Sequence, residues 1–185
     1  TAWSVGAAGL MAPRGRRPYT ARPADFRTRH MSTPLLAQLR ERVGQEVHLS
    51  DWLTISQARI NAFADATGDH QWIHVDPERA AAESPWGSTI AHGYFTLSLY
   101  PMLRGLVAPG QAIYPGVKQA INYGLDKLRF PSPVPAGSRI RARCKLLKVE
   151  EVPGALQFTE QYTVEVEGQP KPACVAEAIM RAYFV

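Results

Sequence analysis

The sequence predicts an α+β fold in which helices come first and an antiparallel β-sheet follows. Two patterns support this: apolar residues at helical spacing in the first half, and alternation of apolar and polar residues after about residue 115. A third observation is a long segment, starting at His92, that is apolar nearly all round. A helix without a polar face has to be buried on every side, so we expect the sheet to wrap around it or a partner to cover it.

The positive charge of the chain is concentrated at its beginning. Residues 1–30 contain six arginines and one aspartate, which accounts for the whole net charge of +5. The remainder is balanced, so we expect no nucleic-acid partner. Glycines and prolines without periodicity predict a flexible basic extension over residues 1–30 and one folded domain over residues 31–185. We expect the extension to be artificial or the product of an upstream start before Met31; a genuine basic arm is the alternative.

Apolar segments and cysteine spacing indicate the compartment in which we expect the protein. No segment reaches the roughly 18 unbroken apolar residues that span a bilayer. The apolar piece Ala2–Ala12 has no positive charge ahead of it, which does not fit a secretory signal. We therefore expect a cytoplasmic protein with no membrane partner. Cys144 and Cys174 have no ligand-type spacing and are expected to be small buried thiols.

Three short helices are predicted before the apolar one. The first covers Pro34–Arg42. The second begins after Ser56, whose hydroxyl suits a helix cap, and stops at Gly68 as a left-handed residue would. The third begins at Asp76-Pro77, an acceptor cap followed by a proline whose missing N–H costs nothing there. In the apolar helix itself, Pro101 is expected to cause a kink or an end.

The alternating segments predict the strands. They cover residues 45–50, 117–123, 126–130, 139–146, 157–166 and 174–184. In the segment from residue 139, four basic residues alternate with apolar ones: Arg139, Arg141, Arg143 and Lys145. We interpret this basic row as a solvated outer face; a docking edge for phosphates or for an acidic carrier protein is the alternative.

The candidate catalytic residues lie in one loop and at one helix start. Asp69 and His74 lie five residues apart between two predicted helices, where a carboxylate and an imidazole can share the acid and base roles on one water. His92-Gly93 opens the apolar helix, whose free N–H groups suit a developing negative charge. Spacing alone leaves loop or capping roles open for Asp69 and His74, and a structural role open for His92.

The order of these residues resembles a known family. Phe-Ala-x-x-Thr-Gly-Asp-x-x-x-x-His-x-Asp-Pro over residues 63–77, followed by Ala-His-Gly-Tyr at residues 91–94, is similar to the MaoC-like dehydratases. These include the (R)-specific enoyl-CoA hydratases, and the NodN-like branch is the most similar. The resemblance runs from Gln45 to Phe184. It implies the hotdog fold, an antiparallel sheet wrapped around a long apolar helix, and a homodimer.

The resemblance also implies an activity and a site. The activity is that of a lyase in fatty acid metabolism, which reversibly hydrates trans-2-enoyl-CoA, or an acyl-carrier thioester, to the (R)-3-hydroxyacyl form. Asp69 and His74 match the catalytic pair, and Gly93 matches the backbone N–H donor to the thioester oxygen. No metal or cofactor is implied. The expected substrate-binding residues are Gln71, Trp72, Ile90, His92, Tyr94 and Phe95.

One departure from the family pattern keeps alternatives open. Gln71-Trp72 stand where the best-known hydratases have Asn-Pro, although the NodN-like branch shares the substitution. A hotdog thioesterase and a non-catalytic acyl-thioester-binding protein are the alternative functions.

Overall fold

The computed structural model describes residues 33–108, 110 and 112–184. The predicted extension over residues 1–30 lies outside the described residues. The helices are α1 Thr33–Glu41, α2 Gln57–Thr67, α3 Trp72–Val75, α4 Pro77–Glu83, α5 Gly93–Ser98 and α6 Tyr100–Leu103. The strands are β1 Glu46–Leu49, β2 Leu53–Thr54, β3 Gln119–Arg129, β4 Arg139–Val152, β5 Ala155–Val166 and β6 Cys174–Tyr183.

The strands form one antiparallel sheet, which confirms the predicted α+β class. Their order is β1-β4-β5-β6-β3, and β2 also pairs with β4. Alternation sends every second residue of β4 to the inner face, where Ile140, Ala142 and Cys144 are fully buried. The apolar side of α5 and α6, including Phe95 and Leu103, packs in the same core cluster as these residues.

The predicted helix boundaries rest on caps that the structure contains. The Ser56 hydroxyl accepts the Arg59 N–H at 3.4 Å, and α2 ends at Gly68 with a left-handed φ of 78°. The Asp76 carboxylate accepts the Arg79 N–H at 3.0 Å, with Pro77 as the first residue of α4. The end of α2 at Gly68 and the cap of α4 at Asp76 therefore bracket the segment that contains Asp69.

The apolar segment forms two short helices and is not covered on every side by the sheet of one chain. It is not one long helix: α5 ends at Ser98 and α6 begins at Tyr100. Pro101 lies in the first turn of α6, where its missing N–H is tolerated, but it cannot continue the hydrogen bonding of α5. Burial on every side is not reached within one chain, because Tyr94 is 69% exposed and Met102 39% exposed, which leaves the expected alternative of a covering partner. The sheet of a single chain covers one face of these helices and leaves the other open.

Local irregularity explains the remaining differences. The segments predicted at residues 117–123 and 126–130 are one strand, β3, whose pairing with β6 shifts between Asn122 and Gly124 and again between Asp126 and Arg129. Lys127 adopts a φ of 51° at the second shift. The four-residue α3 and the two-residue β2 were not predicted, because so few residues carry no periodicity.

The core contains an ion pair that hydrophobic patterning did not indicate. Arg104, just after α6, donates from Nε at 2.6 Å and from Nη2 at 2.8 Å to the Glu160 carboxylate of β5. Arg104 is 6% exposed and Glu160 is fully buried. The Tyr100 hydroxyl donates to the same carboxylate at 3.1 Å. The pair therefore fixes the end of α6 against the middle of the sheet.

The two cysteines match their prediction. Cys144 and Cys174 are free and buried. Burial raises the pKa of each thiol to about 12, so both stay protonated and unreactive at neutral pH. Within the described ranges, none of the helices has the length and apolar character needed to cross a membrane.

Candidate active site

The structure brings Asp69, His74 and His92 together. Gly68 reverses the chain after α2, Asp69 follows it, and α3 then presents His74. One carboxylate oxygen of Asp69 and one ring nitrogen from each histidine all lie within 4.8 Å of one another. His74 lies on a short helix rather than in a loop as expected, which fixes its direction more firmly. The acid and the imidazole are therefore close enough to share one water.

The tautomer of His74 is set by its surroundings. Nδ1 donates to the backbone carbonyl of Ile90 at 2.7 Å, so in the neutral ring Nε2 holds the lone pair. The carbonyl of His74 accepts from Gln57 Nε2 at 2.7 Å, and the Thr89 hydroxyl donates to the same amide's oxygen. Burial lowers the pKa of His74 below its ordinary 6.5, despite the hydrogen bond to Ile90. At neutral pH the ring is thus an uncharged proton acceptor.

Asp69 is poised as a carboxylate. Desolvation raises its pKa, but hydrogen bonds from the side chain and backbone of Gln71 and the two histidines outweigh this and bring the pKa below the ordinary value. Gln71 Nε2 donates to Asp69 Oδ1 at 3.3 Å. The glutamine by which this chain departs from the Asn-Pro pattern therefore supplies an ordering contact to the acid.

Gly93, the first residue of α5, has an N–H with no partner within the helix, and it lines a cleft of about 320 Å³ together with His74 and Ile90. A Cβ on Gly93 would lie 3.0 Å from Cγ and Cδ2 of Phe130. Any side chain there would displace the Phe130 ring, so glycine is needed for this close approach.

The other predicted binding residues are spread over different environments. Trp72 stacks beneath the Arg79 guanidinium, 4.4 Å from its ring centroid. Tyr94 faces solvent and makes a T-shaped ring contact with Phe130 at a centroid distance of 6.0 Å. Phe95 is 7% exposed, packs on Phe63 in the core and does not line the cleft of this chain, so its predicted place in the substrate pocket stays a prediction. Of the apolar residues predicted for the pocket, only Ile90 lines the cleft.

Sequence reasoning missed much of the cleft wall. It includes residues from the loop after α4 and from the segment after β3: Trp86, Phe130, Pro131, Ser132, Pro133 and Val134. The Pro-rich run after β3 was recognised as a turn, and no local pattern indicates that a turn faces a distant helix start.

The same three residues form a group of metal-ligating type among the described residues. The two imidazole rings are stacked, with centroids 3.7 Å apart and planes at 27°. A ring nitrogen binds a metal in the plane of its ring, and two stacked rings do not share a plane that holds a common ion. In this geometry the two histidines are not arranged to bind one ion together.

The three arginines of the predicted basic row pair with carboxylates. Arg139 pairs with Glu167 at 2.9 Å, while Glu165 accepts from Arg141 at 2.6 Å and from Arg143 at 3.0 Å. These contacts agree with the interpretation as a solvated outer face and weaken the alternative of a phosphate-binding edge.

Comparison with known proteins identifies the family. Residues 38–168 match the model of the MaoC like domain, and the chain belongs to this family of MaoC-like dehydratases. It is 58% identical over 147 residues to 3-hydroxyacyl-thioester dehydratase Z of Mycobacterium tuberculosis, covering 79% of this chain and 94% of that protein. It is 47% identical over 150 residues to nodulation protein N of Rhizobium leguminosarum bv. viciae, covering 80% and 91%.

A solved structure supports the same assignment. The unliganded R-hydratase PhaJ1 of Pseudomonas aeruginosa is 25% identical, with a TM-score of 0.59 over 77% of this chain and 83% of that one. The hotdog fold that the resemblance implied is therefore confirmed, together with the membership of the MaoC-like and NodN-like group.

Proposed function

We propose that the protein is a hydro-lyase that reversibly adds water to a trans-2-enoyl thioester, giving an (R)-3-hydroxyacyl thioester. The observation that carries this proposal is that a carboxylate oxygen of Asp69 lies within 4.8 Å of a ring nitrogen of His74, while His74 and Gly93 at the start of α5 line one cleft. The names of the relatives support it, since dehydratase and hydratase describe the two directions of such a reaction. The thioester joins the acyl group to coenzyme A or to an acyl carrier protein.

Asp69 and His74 act on the water. The lone pair of His74 Nε2 and the ionised Asp69 carboxylate are both acceptors, so one water can donate a hydrogen bond to each. This leaves an oxygen lone pair directed at C3 of the substrate. One member of the pair takes a proton as the C3–O bond forms, which contributes roughly 10²–10⁴-fold to the rate.

Gly93 stabilises the charge that attack creates. As oxygen adds to C3, the C2–C3 π electrons move toward the thioester carbonyl and form an enolate. The Gly93 N–H at the start of α5 donates to this oxygen. Removal of one such donor typically costs about 2.7–4 kcal/mol of transition-state stabilisation.

The protonated member of the pair then returns its proton to C2. The water oxygen and one hydrogen end on C3, the other hydrogen ends on C2, and no electrons are gained or lost. Because one group of residues on one side of the cleft handles both steps, hydroxyl and hydrogen add to the same face of the double bond.

The functional unit we propose is a homodimer. β3 is an edge strand of the sheet, and its exposed face includes Ile121, Tyr123 and Leu125. Exposed apolar side chains on an unpaired edge favour pairing with another chain. Tyr94 and Met102 add to the open apolar surface. Sedimentation should give twice the chain mass, and a monomer at micromolar concentration would contradict this assembly.

Two substitutions test the activity. Asp69→Asn and His74→Gln each replace a group that can take a proton from the water by an amide that cannot, and each should reduce crotonyl-CoA hydration by at least ~10² while the fold is kept. His70→Gln is the matched control, because His70 is exposed and bonded to Asp65 rather than to the pair. Full activity of either site variant would defeat the assignment.

Product analysis separates the alternative functions. Loss of enoyl absorbance without free thiol indicates hydration, whereas free thiol indicates a thioesterase. Thermal stabilisation by crotonyl-CoA without any product indicates a binding protein.

A further inference from the structure

His92 connects the three parts of the proposed site. Its side chain is 3% exposed, whereas the neighbouring His74 and Gly93 line the cleft. It immediately precedes Gly93, and its carbonyl accepts the Thr96 N–H at 3.1 Å and the Thr96 hydroxyl at 3.3 Å. The backbone at His92 is therefore tied into the first turn of α5.

The ring of His92 reaches from this helix start to the loop that contains the acid. Nε2–H donates to the backbone carbonyl of Asp69 at 2.9 Å, a contact between segments 23 residues apart. This bond fixes the neutral tautomer with the lone pair on Nδ1. Nδ1 is buried and has no partner among the described residues. Unsatisfied buried polar atoms are uncommon in folded proteins, so this one calls for an explanation beyond core packing.

The same ring also lies against the second member of the pair. The rings of His92 and His74 are stacked with centroids 3.7 Å apart, and Phe63 packs on His92 at 5.0 Å. Rotation of the His74 ring is thus limited by a neighbour that is itself held between α2 and α5. One side chain holds the carboxylate loop, the imidazole and the oxyanion donor in one arrangement.

We propose that His92 is a positioning residue for the hydration reaction, acting through Asp69, His74 and Gly93 without contacting the substrate. This replaces the substrate-binding role expected from the resemblance, and it rests on the proposed function. Positioning errors of about 1 Å reduce rates by up to ~100-fold. The effect should therefore fall on kcat and leave KM nearly unchanged.

Two variants separate the contacts of His92, because each keeps one contact and loses the other. His92→Gln keeps an N–H donor near the position of Nε2 but loses the ring. His92→Phe keeps a ring to stack on His74 but leaves the Asp69 carbonyl without its donor. If positioning is the role, His92→Phe lowers kcat by ~10- to 100-fold, and His92→Gln recovers part of this loss. If His92 only filled space in the core, His92→Phe would keep a higher kcat than His92→Gln, since phenylalanine fills the space of the ring better.

A second readout follows from charge. The ionisable groups that act on His74 are Asp69 from the preceding loop and His92 from the start of α5. Positive charge on His92 lowers the pKa of His74, whereas the Asp69 carboxylate raises it. Both His92 variants remove that charge, so the acid limb of kcat should move to higher pH in each. NMR titration of His74 measures the same shift without turnover.

The outcomes are distinguishable. Wild-type protein that does not hydrate crotonyl-CoA refutes the proposed function itself. Active wild type combined with a raised KM and unchanged kcat in both variants shows substrate contact and overturns the positioning role. Unchanged kcat and an unchanged acid limb in folded His92→Phe also overturn it, as does loss of the circular-dichroism signal in both variants.

Discussion

Replacement of Gly93 by alanine tests the close packing at the start of α5. The added Cβ would lie 3.0 Å from Cγ and Cδ2 and 3.1 Å from Cε2 of Phe130, whereas ordinary contacts begin at 3.4 Å. The φ of Gly93 is not in the left-handed region, so the backbone accepts alanine. The conflict is therefore purely between the methyl group and the ring, and several tenths of an ångström have to be relieved.

The size of the effect of Gly93→Ala depends on whether the Phe130 ring or the start of α5 shifts to make room. Such overpacking typically costs about 1–3 kcal/mol of stability. If the helix start moves instead of the ring, the Gly93 N–H leaves the thioester oxygen, and up to ~10²–10³ in kcat is lost. We expect Gly93→Ala to stay folded and to lose at least ~10-fold in kcat for crotonyl-CoA hydration.

A double-mutant cycle with Phe130→Leu separates the two effects. Leucine removes the ring atoms that the new methyl meets, so Gly93→Ala combined with Phe130→Leu should recover activity relative to the product of the single effects. We expect a coupling of about 1–3 kcal/mol in kcat. Wild-type activity of Gly93→Ala, or additive losses in the double variant, would refute the reasoning.

Two further predictions concern ionisable groups. Because burial places the pKa of His74 below 6.5, the folded protein resists its protonation; the acid-side midpoint of kcat/KM should therefore lie below pH 6.5, and a midpoint above 6.5 would contradict this. The unfolded chain binds this proton more readily, so the same acidification also reduces stability. Glu160→Gln leaves the buried Arg104 charge without its counterion and should cost about 3–5 kcal/mol in denaturant unfolding. The control Glu167→Gln breaks an exposed pair and should cost at most ~1 kcal/mol; equal losses would show that burial of the pair is irrelevant.

Local chemistry made part of the fold predictable. The Asp76-Pro77 cap, the Gly68 stop and the alternation along β4 each depend on neighbouring residues, and all are confirmed. Arg104 and Glu160 were not identified as core residues, because charged side chains are read as exterior unless their partner is known, and theirs lies 56 residues away.

The candidate site likewise contains residues that local motifs indicated and residues that only the folded chain brings near. Asp69, His74 and Gly93 were selected from one motif and one helix start; the structure places Asp69 beside His74, and His74 and Gly93 in the wall of one cleft. Phe130 and Trp86 were missed because they meet the cleft from other segments, with no sequence signal of their own. The role of His92 depends on a hydrogen bond across 23 residues and a ring stack, which spacing cannot indicate.

The central claim is that Asp69 and His74 hold one water and deliver both its oxygen and its proton from one side of the substrate. Hydration of crotonyl-CoA in deuterium oxide, followed by NMR of the 3-hydroxybutyryl product, tests this directly. The account predicts the (R) product with deuterium at C2 on the same face as the new hydroxyl. Deuterium on the opposite face would contradict it, because a second acid from across the cleft would then be required.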